Sequence, residues 1–235
     1  MPYSSPEPGP DPRLSDRRVR VWDLPIRLFH WLIAALFGFC WWSAETEHLD
    51  WHMLSGFAVL ALVLFRIYWG FAGSATARFA SFLKGPRTVF GYARNLFRQS
   101  ESVAFGHNPM GGWSVIALIL LLLAQTVLGL FAIDVDGINA GPLDTLVSFE
   151  TGRRFAHLHG RVFNLLLILT ALHLAAVAFY WLFKRENLIG PMITGRRRLP
   201  SWAAWSELYF APLWKAALGL ALAGLLVAWV ALGWF

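Results

Sequence analysis

Five long apolar stretches limit the folds open to this chain more than any other feature of its sequence. They cover residues 26–44, 51–73, 112–133, about 156–183 and 213–235. A helix needs about 20 mostly apolar residues to cross the hydrocarbon core of a bilayer. All five stretches reach about that length, so we predict five transmembrane helices and an all-α integral membrane bundle.

The composition supports this prediction and excludes several other classes of protein. The chain is 57% hydrophobic and 14% charged, whereas soluble domains are about 45–50% apolar and about 25% charged. The net charge of +6 comes from basic residues beside the apolar stretches, which indicates contact with membrane lipid and not with nucleic acid. The single cysteine, Cys40, excludes an internal disulfide and a cysteine-based metal cluster.

Lys and Arg residues cluster on alternate sides of the predicted helices. The first connection, ETEHLD, has no basic residue, and the third has only Arg153 and Arg154 among several acids. The positive-inside rule therefore places the N-terminus in the cytoplasm and the C-terminus on the far side. The clusters are Arg13, Arg17, Arg18 and Arg20; Arg78, Lys84, Arg87, Arg94 and Arg98; and Lys184, Arg185, Arg196, Arg197 and Arg198.

Two polar segments complete the predicted organisation. Residues 1–17 are rich in proline and polar residues, which predicts a disordered cytoplasmic tail and not a signal peptide. Residues 200–212, rich in Trp and Tyr, are predicted to lie in the membrane interface before the fifth helix.

Four histidines fall within the predicted helices at two depths. His159 and His173 are 14 residues apart, which on a helix is about 21 Å of depth and an angular offset of about 40°. They therefore share one face of the fourth helix. The topology pairs His52 with His159 on the outer side and His30 with His173 toward the cytoplasm.

The other three histidines are predicted to have different roles. His157 is 16 residues from His173 and points to nearly the opposite face, although it remains an alternative to His159 as a ligand. His48 is predicted to be solvated in the outer loop. His107, in the turn-rich sequence GHNPMGGW, is expected to cap the third helix or lie at the interface, with contact to a substrate as the alternative.

Two imidazoles per layer, without an intramembrane carboxylate, favour haem over other metal centres. Zinc usually takes four protein ligands, and di-iron sites need carboxylates. A porphyrin supplies four nitrogens and requires only two axial imidazoles, which leaves no position open for oxygen chemistry. Gly56 and Gly160, near the outer histidines, could let a flat ring approach the backbone. The competing interpretation is a haem-free scaffold in which histidines only hydrogen-bond neighbouring helices.

Four segments of the sequence resemble the bacterial cytochrome b561 family, which includes the b-type cytochrome subunits of nickel–iron hydrogenases. The segments are VWDLPIRLFHW, WHMLSGFAVLALVLFRIYWGFAGSATARFASF, GHNPMGGW and HGRVFNLLLILTALH. The resemblance covers about residues 18–195. It implies a four-helix core in the bacterial inner membrane that binds two b-type haems. The implied ligand pairs are His30 with His173 and His52 with His159.

The resemblance leaves the remaining 40 residues, 196–235, as an interfacial segment and a fifth helix that ends in the periplasm. It also suggests partners for two arginines. Arg66 either snorkels to the interface, which we favour, or pairs with a haem propionate. Arg161, with Arg153 and Arg154, is a candidate partner of the outer haem's propionates.

The resemblance implies electron transfer between quinone and a partner at the outer face, such as a c-type cytochrome. One branch of the family oxidises superoxide, and Arg153, Arg154 and Arg161 could steer that anion. The main alternative is the membrane-anchor subunit of a hydrogenase-like complex. The sequence leaves open whether the chain is only an electron carrier or also a quinone-linked oxidoreductase.

Overall fold

The computed structural model describes residues 18–98, 106–198 and 207–233. The predicted tail, residues 1–17, and residues 200–206 of the predicted interfacial segment lie outside the described residues. Within the described ranges the chain forms eight α-helices and one antiparallel two-stranded ribbon. The elements are β1 (Arg18–Arg20), α1 (Leu24–Glu45), α2 (Leu49–Ala72), α3 (Phe79–Phe82), α4 (Pro86–Arg94), α5 (Pro109–Leu130), α6 (Phe149–Leu182), α7 (Ile189–Thr194), β2 (Arg196–Arg198) and α8 (Leu213–Ala231).

The prediction of five membrane-spanning helices is confirmed: α1, α2, α5, α6 and α8 are long and apolar enough to cross a membrane. In the apolar 18-residue window of α2, 44% of the residues are buried, compared with 6–17% in the windows of the other four helices. α2 is therefore the central helix, and it packs against α1, α5 and α8. α6 packs mainly on α5, and the apolar surface that the outer helices expose suits contact with lipid.

Local capping signals set the starts of three spanning helices. Asp23, Asn108 and Ser148 cap α1, α5 and α6, each accepting a hydrogen bond from the backbone N–H three residues on. The expectation that His107 caps the third spanning helix is therefore wrong. Asn108 takes that role because its short side chain places Oδ1 2.7 Å from the N–H of Gly111.

α6 begins at Phe149, seven residues before the predicted start at 156. The Ser148 cap stabilises the added turns, and so does the ion pair between Arg154 and Glu150 at 3.6 Å. Arg153 and Arg154 consequently lie on the helix and not in the preceding loop, and α6 extends beyond the length that a bilayer requires.

The C-terminal helix packs closely on the central helix. A Cβ atom at Gly219 of α8 would lie 2.3 Å from the ring of Tyr68 on α2, so only glycine permits this approach. Near the same end, β1 pairs with β2 in antiparallel register, with Val19 opposite Arg197. Val19 and Ala223 of α8 belong to one buried cluster. The ribbon and α8 thus both pack against α1 and α2.

The connection between α2 and α5 folds back onto the bundle through short α3. A Cβ atom at Gly70 would lie 2.1 Å from the ring of Phe79. A Cβ atom at Gly112 would lie 2.8 Å from the carbonyl oxygen of Phe82. These two glycines admit the two aromatic rings between α2 and α5. Phe79 and Phe82 therefore close the end of the bundle that holds His30 and His173.

Candidate functional site

The structure brings the four predicted histidines together in two pairs. The imidazole centroids of His52 and His159 are 6.0 Å apart, and those of His30 and His173 are 6.3 Å apart. We call His52 and His159 the outer pair and His30 and His173 the inner pair. Both pairs join α6 to helices on the other side of the bundle, α2 and α1 respectively.

The separation within each pair suits bis-imidazole ligation of one metal ion. A metal–imidazole nitrogen bond is about 2.0–2.1 Å long and the nitrogen lies about 1.1 Å from its ring centroid, so two axial imidazoles have centroids about 6 Å apart. The observed separations of 6.0 and 6.3 Å agree with this value. In the described residues no group of three or more His, Cys, Asp or Glu could hold a metal ion, so each pair offers two protein ligands and fits haem.

Backbone carbonyls orient both rings of the outer pair. His52 donates from Nδ1 to the Cys40 carbonyl at 2.9 Å, and His159 donates from Nδ1 to the Gln125 carbonyl at 2.9 Å. With Nδ1 protonated, each Nε2 is left as the acceptor that would bind iron. A Cβ atom at Gly129 would lie 3.1 Å from Cε1 of His159. Gly129 therefore makes room for that ring, a role that sequence reasoning missed.

The inner pair has no comparable support. Nδ1 of His30 is shielded from solvent and has no hydrogen-bond partner among the described residues. The His30 ring instead meets the edge of the Trp31 ring at 5.0 Å between centroids. The two pairs thus share their spacing but differ in the groups that hold the rings in place.

Arg66 lies at the end of the bundle that carries the inner pair. Contrary to the expectation that it snorkels, its side chain is buried. Its residue is only 2% exposed, and the guanidinium lies 5.1 Å from the centroid of the Phe79 ring. Phe79 of α3 covers the side chain and prevents it from snorkelling. Nη1 has no hydrogen-bond partner among the described residues, although the buried carboxylate of Asp23 lies close enough to favour the charged guanidinium.

His107 also lies at this end, between two aromatic rings. Its ring is 4.9 Å from the Trp22 ring and 4.8 Å from the Phe82 ring, measured between centroids. Burial, and then the positive charge of Arg66, lower the pKa of His107 to about 3. His107 is therefore neutral at physiological pH, and its shielded Nδ1 has no partner in the described part of the chain.

The structure gives no support for the roles predicted for the remaining positions. His157 is exposed, as expected for the opposite face of α6, and Arg161 is exposed as well. Arg153 donates to the carbonyl of Ile133 at 3.2 Å. A Cβ atom at Gly56 or Gly160 would meet nothing within 4 Å, so neither glycine is required by a protein contact. The roles predicted for these residues stay predictions.

Comparison with known proteins identifies a family. The family model described as prokaryotic cytochrome b561 matches residues 21–195 of the 235-residue chain. This range includes both histidine pairs, Arg66 and His107, and it ends before β2. Neither the search of curated proteins nor the search of solved structures returned a match.

Proposed function

Because this chain belongs to the prokaryotic cytochrome b561 family, we propose that it is a dihaem b-type cytochrome that carries electrons across the bacterial inner membrane. Membership in the family implies a membrane protein that binds b-type haem and takes part in electron transfer. The finer proposal, of two haems, depends on one observation: two histidine pairs with ring separations of 6.0 and 6.3 Å.

The residues of the chain that would hold the haems are His52 and His159 in the outer layer and His30 and His173 in the inner layer. Bound haem supplies a one-electron couple at its iron, and six-coordination favours electron transfer over oxygen chemistry. The carbonyls of Cys40 and Gln125 hold the outer imidazoles in one tautomer. The buried apolar cluster of the helices, which includes Val59, Val63 and Leu166, would limit the access of water to the haems.

We propose that the inner pair lies toward the cytoplasm and the outer pair toward the periplasm. The two layers are separated by the 14 residues between His159 and His173, about 21 Å along α6. The basic connections at the inner end support this orientation under the positive-inside rule. Electrons would then pass between quinone in the bilayer and a redox partner at the outer face.

The charge of the outer end favours a protein partner over superoxide. Segments 45–50 and 131–161 carry seven acidic residues and three arginines. Of those arginines, Arg154 is paired with Glu150. A surface with an acidic excess repels an anion and attracts a basic soluble protein, such as a basic c-type cytochrome. The acidic residues are Glu45, Glu47, Asp50, Asp134, Asp136, Asp144 and Glu150.

Haem counting and stopped-flow reduction together test the proposed function. The purified full-length protein is expected to contain two b-type haems per chain and to be reduced rapidly by quinol. Reduction by superoxide is expected to be slow because of the acidic outer end. A protein with one haem or none would contradict the dihaem proposal. Fast reduction by superoxide with no reduction by quinol would contradict the choice of partners.

The alternative assembly, a membrane anchor of a hydrogenase-like complex, uses the same two histidine pairs. It differs in the partner, which would deliver electrons from an iron–sulfur chain. Mild-detergent purification from the native membrane separates the two proposals. If the chain is recovered with a large metalloenzyme in a fixed ratio, it is an anchor subunit and not a free electron carrier.

A further inference from the structure

The inner pair is surrounded by buried polar atoms that no described residue satisfies. These atoms are Nδ1 of His30, Nη1 of Arg66 and Nδ1 of His107. Buried polar groups in folded proteins almost always have a partner, so each exception calls for an explanation. In the described residues only one such atom, Oε1 of Gln125, belongs to a residue that contacts the outer pair.

The spacing on α2 places Arg66 in the layer of the inner pair. His52 and Arg66 are 14 residues apart, the same separation as between His159 and His173 on α6. On a helix this spacing leaves an angular offset of only about 40°. α2 therefore presents His52 to the outer layer and Arg66 to the inner layer on one face, as α6 presents its two histidines.

No carboxylate of the described residues lies within ion-pair distance of Arg66. The ion pairs within the described residues are Arg154 with Glu150 and Arg197 with Glu186. Asp23, in the same end of the bundle, is already used: it accepts from the N–H of Ile26 and from Nε1 of Trp69, at 2.8 and 2.9 Å. The charge of Asp23 acts on the guanidinium from beyond ion-pair distance, and the hydrogen-bonding position at Nη1 is left open to a second anion.

His107 offers a second donor at the same place. It is held by Trp22 and Phe82. Phe82 packs on Phe79, the ring that covers the Arg66 guanidinium, so His107 and Arg66 are joined by one cluster of aromatic rings. As a neutral imidazole it has one N–H, and its unsatisfied atom is Nδ1. In the Nδ1–H tautomer it would donate to an anion beside the guanidinium without adding a charge.

We propose that Arg66 and His107 together form a carboxylate-binding site beside the inner histidine pair, and that the site holds a propionate of the haem bound there. This inference rests on the proposed dihaem function. The guanidinium fork matches the two oxygens of a carboxylate, and the imidazole N–H supplies a third hydrogen bond. Phe79 and Phe82 exclude water from the site, which strengthens those bonds.

Redox titration and resonance Raman spectroscopy of the full-length protein test this inference. Arg66→Gln is expected to lower the midpoint potential of the inner haem only, because loss of a buried positive charge disfavours the reduced iron. The propionate bending band of one haem is expected to shift in the same variant. His107→Phe should shift that band with a smaller change in potential, and His107→Gln, which keeps an N–H donor, should restore it. Arg87→Gln, an exposed arginine at the same end, is the matched control.

The outcomes separate this inference from the proposed function. Two haems in the wild type, with both the potentials and the propionate bands unmoved in Arg66→Gln, would overturn the carboxylate site alone. A wild type without an inner haem would overturn both proposals. If Arg66→Gln fails to retain the inner haem, Arg66→Lys decides: it keeps the charge and loses the fork, so a nearly unchanged potential with a shifted band is expected. An unshifted band in Arg66→Lys would contradict the site.

Discussion

The two histidine pairs have nearly the same ring separation but are held by different means. Both rings of the outer pair are fixed by backbone carbonyls, at 2.9 Å in each case. The inner pair lies among polar side chains whose hydrogen-bonding atoms have no partner in the described residues. The outer layer is therefore organised by the chain itself. The inner layer leaves hydrogen-bonding atoms open that the proposed haem propionate would satisfy.

The largest expected effect comes from removing one ligand of each pair. We expect His52→Ala and His173→Ala each to lower the haem content from two per chain to one, because one imidazole cannot hold a six-coordinate iron. Pyridine haemochrome analysis of the purified variants measures the haem content. The matched control is His157→Ala, which should retain both haems because His157 is exposed on α6.

The same variants distinguish the competing interpretations of the four histidines. Two haems retained in His52→Ala would exclude the outer pair as ligands. Unchanged spectra in both ligand variants would support the haem-free scaffold. Loss of both haems in His52→Ala alone would show that the two layers are not independent.

The second expected effect is a difference in reduction potential, with the outer haem the lower. A carbonyl that accepts the Nδ1 proton makes an imidazole more basic and would stabilise ferric iron in the outer layer, whereas the charge of buried Arg66 would stabilise ferrous iron near the inner pair. If each effect contributes about 1 kcal/mol, it shifts a one-electron potential by about 40 mV. Redox titration of His52→Ala and His173→Ala, each with one remaining haem, assigns the two potentials. A lower potential at the inner haem would contradict this comparison.

The third expected effect concerns the room that Gly129 leaves for His159. A Cβ atom there would lie 3.1 Å from Cε1 and 3.3 Å from Nδ1 of the ring. Gly129→Ala should therefore displace the imidazole by a few tenths of an ångström and weaken its hydrogen bond to Gln125, at a cost of about 1 kcal/mol. We expect the outer haem to dissociate faster in detergent, measured by transfer to apomyoglobin.

The control for this variant is Gly224→Ala on α8, where an added Cβ atom meets nothing within 4 Å. In this control variant both haems should dissociate at the wild-type rate. If Gly129→Ala accelerates loss of the inner haem instead, the pairing of His159 with the outer layer is wrong.

Much of this architecture could be predicted because its signals are local in sequence. Runs of about 20 apolar residues indicate spanning helices, and helical periodicity places His159 and His173 on one face without reference to the rest of the fold. The sequence carries two further local signals. Ser148 is a capping residue ahead of α6, and the spacing of 14 residues between His52 and Arg66 repeats that of the histidines.

The surroundings of the inner pair could not be predicted because they depend on contacts between distant segments. Arg66 is buried only because Phe79 folds back over Gly70, and His107 is enclosed only because Trp22 and Phe82 meet it from two other segments. An arginine near a helix end usually snorkels, so the general rule favoured the wrong outcome. Tertiary packing decided both positions.

The smallest expected effect is an acid sensitivity of the inner end. In the folded chain without bound haem, burial and the charge of Arg66 lower the pKa of His107 to about 3, against about 6.5 when the chain is unfolded. Between those values the unfolded state binds the extra proton, so the stabilisation by neutral His107 is complete above about pH 6.5 and is lost as the pH falls toward 3. After haem extraction, His107→Gln should therefore lose less thermal stability than the wild type between pH 7.5 and 5. His48→Gln, at an exposed histidine, should follow the wild type, and equal acid dependence in wild type and His107→Gln would show that His107 is not buried in its neutral form.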